Sequence, residues 1–227
     1  MSLSFQNVAT DAQIKHYMKP KIWREIVDYL IYFLVVLLSV SIIYMGVRYF
    51  LIDTIAITGK SMYPNYNNYT DSTKHDVIQI DLLTPRFGDY RRGEVVVLMA
   101  PEKCDPNRSL FIKRVIGLPG DKIILENGKV WINGPETDGQ TVHLDESSYL
   151  SKDILTYKSD LNKGMRFEEN VLGKDEYYVM GDNRGYSKDS RYCGKIDKKI
   201  ILGREVFRLL PIEKKKFFEI PKYNIGN

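Results

Sequence analysis

The chain has little histidine, little cysteine and no strong charge bias, and each shortage narrows what it can be. His16, His75 and His143 share no helical face, and there is no HExxH. That spacing offers no metal site, and neither metal nor cofactor is expected. Cys104 and Cys193 form no CxxC and can make at most one bridge. A formal net charge of +4, with no basic helix and no zinc-finger spacing, argues against a nucleic-acid binder. Internal repeats and low-complexity tracts are missing too, and beyond Val47 no long amphipathic helical pattern occurs.

What is present begins with one long apolar run. Residues Tyr29–Val47 carry no charge. A helix of that length spans about 28 Å at about 1.5 Å per residue, close to the ~30 Å core of a bilayer. Tyr29, Tyr32, Tyr44 and Tyr49 sit near its ends, as interfacial aromatics do. A cleavable leader is the rival reading, since Thr54-Ile55-Ala56 loosely resembles a cleavage site. The run is longer than a leader's apolar region, and the stretch before it is long for one, so a retained anchor is expected. Lys15, Lys19, Lys21 and Arg24 precede the run, against Arg48 and Lys60 after it. This bias predicts a cytoplasmic N-terminus and an extracytoplasmic C-terminal part.

Beyond the run the pattern is that of strands. Glu94–Met99, Leu110–Ile116, Glu176–Met180 and Ile200–Leu209 read as strands, and Lys122–Asn133 as a hairpin turning at Asn127-Gly128. The fold class expected is mainly β, a sandwich or barrel-like sheet after one transmembrane helix. Residues 134–173 have weak periodicity and read as an irregular insertion.

Two positions stand out. Lys113 interrupts an apolar strand, FIKRVIG. It reads either as an edge lysine that snorkels or as a buried amine whose pKa is lowered by desolvation. A neutral amine is a competent general base, and an unactivated serine hydroxyl needs one. Ser61 offers such a hydroxyl in ITGKSMYPNY, which by itself reads as a turn. A third segment, MGDNRGYSKDSRYCGKI, reads as a polar loop or as a scaffold. In the second reading Ser187 bonds the lysine amine while Asp189 and Arg191 pair to fix the loop.

Taken together, SMYP (61–64), RGEVVV (92–97), FIKRVIGLPGD (111–121) and GDNRGYSKDSR (181–191) resemble the bacterial type I signal peptidases, in that family's order. The resemblance implies a membrane-anchored serine endopeptidase that removes signal peptides from secretory preproteins by a Ser–Lys dyad. It implies Ser61 as nucleophile, Lys113 as general base, Ser187 as the group orienting the amine, and Asp189 and Arg191 as supports. Ile57, Met62 and Ile112 match the positions that line the pockets for small residues before the cut. Gly59 stands where some members carry a serine that donates to the oxyanion, so that donor is lacking here. The implied organisation is a cytoplasmic tail (1–28), a transmembrane helix (29–47) in contact with membrane lipid, a catalytic β core (48–121 and 174–227) and a smaller inserted β subdomain (122–173). A relative that binds preproteins or pilus subunits without cutting them is the alternative, and a peptidase-dead variant of the site residues would be its mark.

Overall fold

The structure, a computed structural model, describes residues 11–69, 71, 73–159 and 165–223. Residues 1–10 of the expected tail and 160–164 of the expected insertion lie outside them. The chain divides into two compact units, one ending at Tyr49 and one starting at Phe50.

The first unit is a single helix, α1 (Asp11–Phe50). Within its stretch Lys21–Arg48 an 18-residue window reaches a mean hydropathy of 2.5, and none of that window is buried against protein. The part Tyr29–Val47 of this helix is apolar all round and has no charged face, a composition that suits lipid and not a half-buried position on a soluble domain. By length and composition it can cross a membrane, and it is the one such helix among the described residues.

The second unit is built from two antiparallel sheets. The larger contains β1 (Ile52–Ala56), β2 (Val77–Asp81), β3 (Val95–Met99), β4 (Leu110–Gly117), β9 (Glu176–Met180), β10 (Ile196–Asp197) and β11 (Ile201–Leu210), with β12 (Lys216–Phe217) paired to β11. Its order is β1-β2-β11-β3-β4-β9-β10. The smaller has the order β7 (Val142–His143), β6 (Lys129–Asn133), β5 (Lys122–Glu126), β8 (Phe167–Glu168). The only α-helices of this unit among the described residues are two single turns, α2 (Thr84–Phe87) and α3 (Ser190–Cys193).

Strand β3 shows why its sequence is continuously apolar. Val95 and Val97 face one core cluster, with Ile57, Met62, Tyr66, Ile78, Ile80 and Ile112. Val96 and Leu98 face the other, with Tyr90, Val115, Tyr177, Val179, Ile196 and Ile201. A strand buried on both faces needs no polar alternation. A third cluster joins the two sheets: Ile116, Tyr178 and Met180 of the large one pack with Ile123, Leu125, Val130 and Ile132 of the small one. The region 122–173 thus has its own sheet but shares a core with the rest of the unit.

The β5–β6 hairpin turns at Asn127-Gly128, both at positive φ (52° and 74°), as a tight two-residue turn requires. More important for the site is where β9 stops. Its pairing with β4 runs from Gly117↔Tyr178 to Arg114↔Met180, and the chain turns away at Gly181. On that side, Leu110–Lys113 have no strand partner among the described residues.

Candidate active site

Three elements meet beside this open edge of β4. The first is the segment that leaves β1. Ile57 is held by its N–H to the Asp76 carbonyl (2.8 Å), and the Asn67 side chain reaches back to the carbonyls of Ile57 and Gly59. Asn67 sits at φ 51°, a left-handed conformation that asparagine tolerates; its backbone N–H donates to the Asp76 carboxylate, and its side-chain oxygen accepts from the Asp76 backbone N–H. The chain then turns through Ser61, closed by Tyr63 N–H to Lys60 O (3.2 Å) and Tyr66 N–H to Met62 O (3.0 Å).

The second element is β4 itself. Lys113 lies on the apolar face shared with Phe111 and Val115, opposite Val96 in register, and its Nζ is 4.7 Å from the centre of the Phe111 ring. The side chain is only 3% exposed. Its Nζ donates to Ser61 Oγ (2.9 Å) and to the Ile112 carbonyl (2.9 Å), and Ser61 Oγ itself donates to that carbonyl (3.3 Å). The carbonyl is free to accept because β9 does not extend this far. Burial pushes the amine pKa down to about 8, against the pull of the Asp189 and Asp182 carboxylates. At about pH 8 half of the amine is therefore neutral.

The third element is the loop after β9. Asn183 N–H donates to the Ser61 carbonyl (3.0 Å) and Asn183 Nδ2 to that of Lys60 (3.0 Å), fixing the backbone of the Ser61 turn. A Cβ at Gly181 would run into both the Ser61 carbonyl oxygen and Ser187 Oγ, so only glycine fits there. Asp189 caps α3, accepts from Gly181 N–H (3.0 Å) and pairs with Arg191 (2.8 Å). Burial raises the Asp189 pKa, but bonds from Arg191 and Gly181 outweigh it and hold the carboxyl below its usual range. Arg191 also donates to the carbonyls of Arg184 (2.7 Å) and Tyr157 (3.3 Å), tying the loop together.

Two expectations need correction. Met62 is fully buried and lies under the turn, packed with Ile57, Tyr66, Val95 and Ile112, and it does not border the cleft. The turn that lifts Ser61 outward sends its successor inward. Ser187 does not bond the amine, whose partners are Ser61 and the Ile112 carbonyl: its Oγ is buried beside Gly181 and faces the Asp189 carboxylate. Ile57, Gly59, Ser61, Ile112 and Lys113, by contrast, all line one cleft of about 650 Å³, with Val97 in its wall and Tyr186 and Lys188 at its rim.

Further residues hold the site and were not singled out from the sequence. Arg114, the neighbour of Lys113, makes a buried two-point pair with Asp182 (2.9 and 2.7 Å) and stacks on Tyr149. Asp182 also accepts from Asn65 (2.8 Å), four residues after Ser61. Arg184 binds Glu146 and Thr156, linking the loop to the region of the small sheet. Cys104 and Cys193 are joined in a disulfide, with Cα atoms 5.5 Å apart, between the β3–β4 connection and α3. Among the described residues, no group of three or more His, Cys, Asp or Glu is placed to hold a metal ion.

Comparison with known proteins bears on this arrangement directly. Residues 29–210 match the family model "Signal peptidase, peptidase S26". Signal peptidase I P of Bacillus subtilis subsp. natto is 34% identical over 84% of this chain and 92% of its own length. Signal peptidase IB of Staphylococcus aureus (strain MRSA252) is 30% identical over 74% of this chain and 83% of its own. A crystal structure of a signal peptidase I from Enterococcus faecalis V583 is 25% identical, covers 51% of this chain and 96% of that one, and has a TM-score of 0.36. With a family match that takes in both the serine turn and the strand of the buried lysine, the chain belongs to the signal peptidases of peptidase family S26 and is a serine peptidase that removes signal peptides from preproteins.

Proposed function

We propose that Ser61 and Lys113 are the nucleophile and general base of a membrane-anchored signal peptidase that cuts after small residues of the A-x-A type. The observation that carries this reading is the 2.9 Å contact between Ser61 Oγ and the nearly inaccessible Nζ of Lys113. An extended preprotein segment pairs with the unpartnered edge of β4 and the facing residues 57–59, as an added strand. Its small side chains fit the walls made by Ile57 and Ile112, which line the same cleft as the dyad.

Ser61 Oγ attacks the carbonyl carbon after the small residue, and neutral Lys113 Nζ takes the hydroxyl proton. The oxyanion is held by the Ser61 N–H, which has no hydrogen-bond partner among the described residues. Gly59 has no side chain to add a second donor, and the space where its Cβ would stand is open. Collapse of the adduct breaks the peptide bond, and the ammonium of Lys113 returns the proton to the leaving amine. Water, deprotonated by the same amine, then hydrolyses the acyl-enzyme. Every step uses one proton on one nitrogen, so a base with a pKa near ambient pH serves both directions.

The apolar helix supplies the anchor, with its N-terminus in the cytoplasm and the catalytic unit outside. A disulfide fits an oxidising compartment and supports that side assignment. Cleavage of a synthetic A-x-A preprotein peptide by the full chain in detergent, with Ser61→Ala alongside, tests the reading. Wild-type cleavage at the expected bond and none in the variant is the expected result; equal activity in both removes Ser61 from the chemistry.

A further inference from the structure

A second cavity adjoins the first. It encloses about 640 Å³ and is bordered by Lys60, Tyr63, Tyr69, Asp71, Lys74 and Asn183, among others. Lys60 borders both cavities, while Ser61 borders only the first. The backbone runs from one to the other through the serine turn, and Asn183 walls the crossing by its bonds to the carbonyls of Lys60 and Ser61.

The two cavities differ in chemistry. The first has aliphatic walls, including Ile55, Ile57, Val97 and Ile112. The second is bordered by no aliphatic side chain. A chain cut at Ser61 has two halves of contrasting character. The upstream half presents small apolar residues to the first cavity. The downstream half becomes the start of the released protein and must leave across the turn, where the polar cavity begins. This cavity also has a definite shape. Tyr69 is fixed by its hydroxyl to Asp76 and by Lys214 over its ring at 4.4 Å. Asp71 is turned onto Thr73, to whose N–H (2.9 Å) and hydroxyl (2.7 Å) it bonds. Of the two lysines, Lys74 is near Asp71, whereas Lys60 has no carboxylate partner among the described residues. The formal charge left in the cavity is positive.

We propose that this second cavity receives the residues immediately downstream of the scissile bond, and that Lys60 and Lys74 select acidic side chains there over basic ones. The proposal rests on the Ser61–Lys113 reading and adds to it the substrate's released half. Both lysines are exposed, so the discrimination is modest and sensitive to salt.

The test uses peptides with one A-x-A upstream half and either Glu or Lys at the second and third downstream positions, with the full chain in detergent. The expected kcat/KM ratio of Glu to Lys peptide is about fivefold at low salt, falling towards unity in about 0.5 M salt. The charge-swapped variant Lys60→Glu/Lys74→Glu is expected to invert it. A wild-type ratio of one, a ratio that salt does not change, or a swap that leaves the preference intact overturns the proposal while cleavage itself upholds the dyad. If neither peptide is cut by wild-type protein, the dyad reading falls and takes this proposal with it.

Discussion

Replacing Lys113 by methionine should make the protein more stable and inactive, and the gain should depend on pH in a defined way. The native amine has a pKa of about 8, against 10.5 when unperturbed. That difference corresponds to about 3 kcal/mol of penalty on the charged form. Below pH 8 the amine is protonated in both states, so the native state carries the whole penalty. Between pH 8 and 10.5 the unfolded chain still binds the proton and the native chain does not. Native stability therefore rises with pH across that window, and above it the penalty has gone. Methionine fills a similar volume with no charge to desolvate, but it forfeits two hydrogen bonds, to Ser61 Oγ and the Ile112 carbonyl. Allowing for these, a net gain of about 2 kcal/mol is expected at pH 6 to 7, or roughly 4–8 °C in Tm for a unit of this size.

Near-ultraviolet circular dichroism melts of both full-length proteins in detergent, from pH 6 to pH 10.5, would measure this. Other titrating groups are common to the two chains and cancel in the difference. The gap should be widest below pH 8 and shrink steadily above it. A variant no more stable than wild type at pH 7, or a gap constant across the range, would refute the account of Lys113 as a desolvated amine.

Three further outcomes are expected. In wild type, kcat/KM should rise through an apparent pKa of about 8, and Lys113→Arg should be as inactive as Lys113→Ala because guanidinium stays protonated; a rate flat from pH 6 to 10 contradicts this. Gly181→Ala should cut kcat at least a hundredfold, since its Cβ collides with Ser61 O and Ser187 Oγ, and near-normal turnover would show that the loop yields. Cys104→Ser/Cys193→Ser should lose about 4.6 kcal/mol of stability by the loop-entropy argument for a separation of 89, but keep kcat within a few-fold at low temperature, because neither sulfur adjoins Ser61 or Lys113 in the cleft lining; a hundredfold loss in a folded variant would give the bridge a catalytic part.

Much of the fold could be read from the chain because the central strands are long and dense in β-branched residues. Val95–Met99, Leu110–Gly117, Glu176–Met180 and the Asn127-Gly128 hairpin lie within a residue of where the pattern puts them. Strand β2 was legible but passed over: VIQID alternates, burying Ile78 and Ile80, in a five-residue stretch flanked by polar loops. Strand β1 was masked by the apolar run it follows. The two-residue strands β7, β8, β10 and β12 are set by their partners and leave no local signal. In the site, an amine among apolar residues marked Lys113, and motif order marked Ser61. Met62 and Ser187 were misassigned because their side-chain directions depend on a tight turn and on the packing at Gly181, which no spacing encodes.

Arg114 and Asp182 could not have been paired from the sequence, being 68 positions apart, yet their pairing bears on the charge state of Lys113. The unit buries several cations, and the others described near the site are matched. Arg92 has Asp121 and Glu136, Arg114 has Asp182, Arg184 has Glu146, and Arg191 has Asp189. Lys113 alone among these has no carboxylate within ion-pair distance among the described residues. The two carboxylates that pull on it, Asp189 and Asp182, are each paired with a guanidinium, and that of Arg191 opposes their pull on the amine. Desolvation then goes largely uncompensated, which is what lowers the amine pKa to about 8. A single carboxylate released from its arginine would restore a counterion to Lys113 and raise its pKa. The arginine pairs thus do more than hold the loop: they keep the negative charge around Lys113 occupied, so that its ammonium loses a proton more readily than an exposed one.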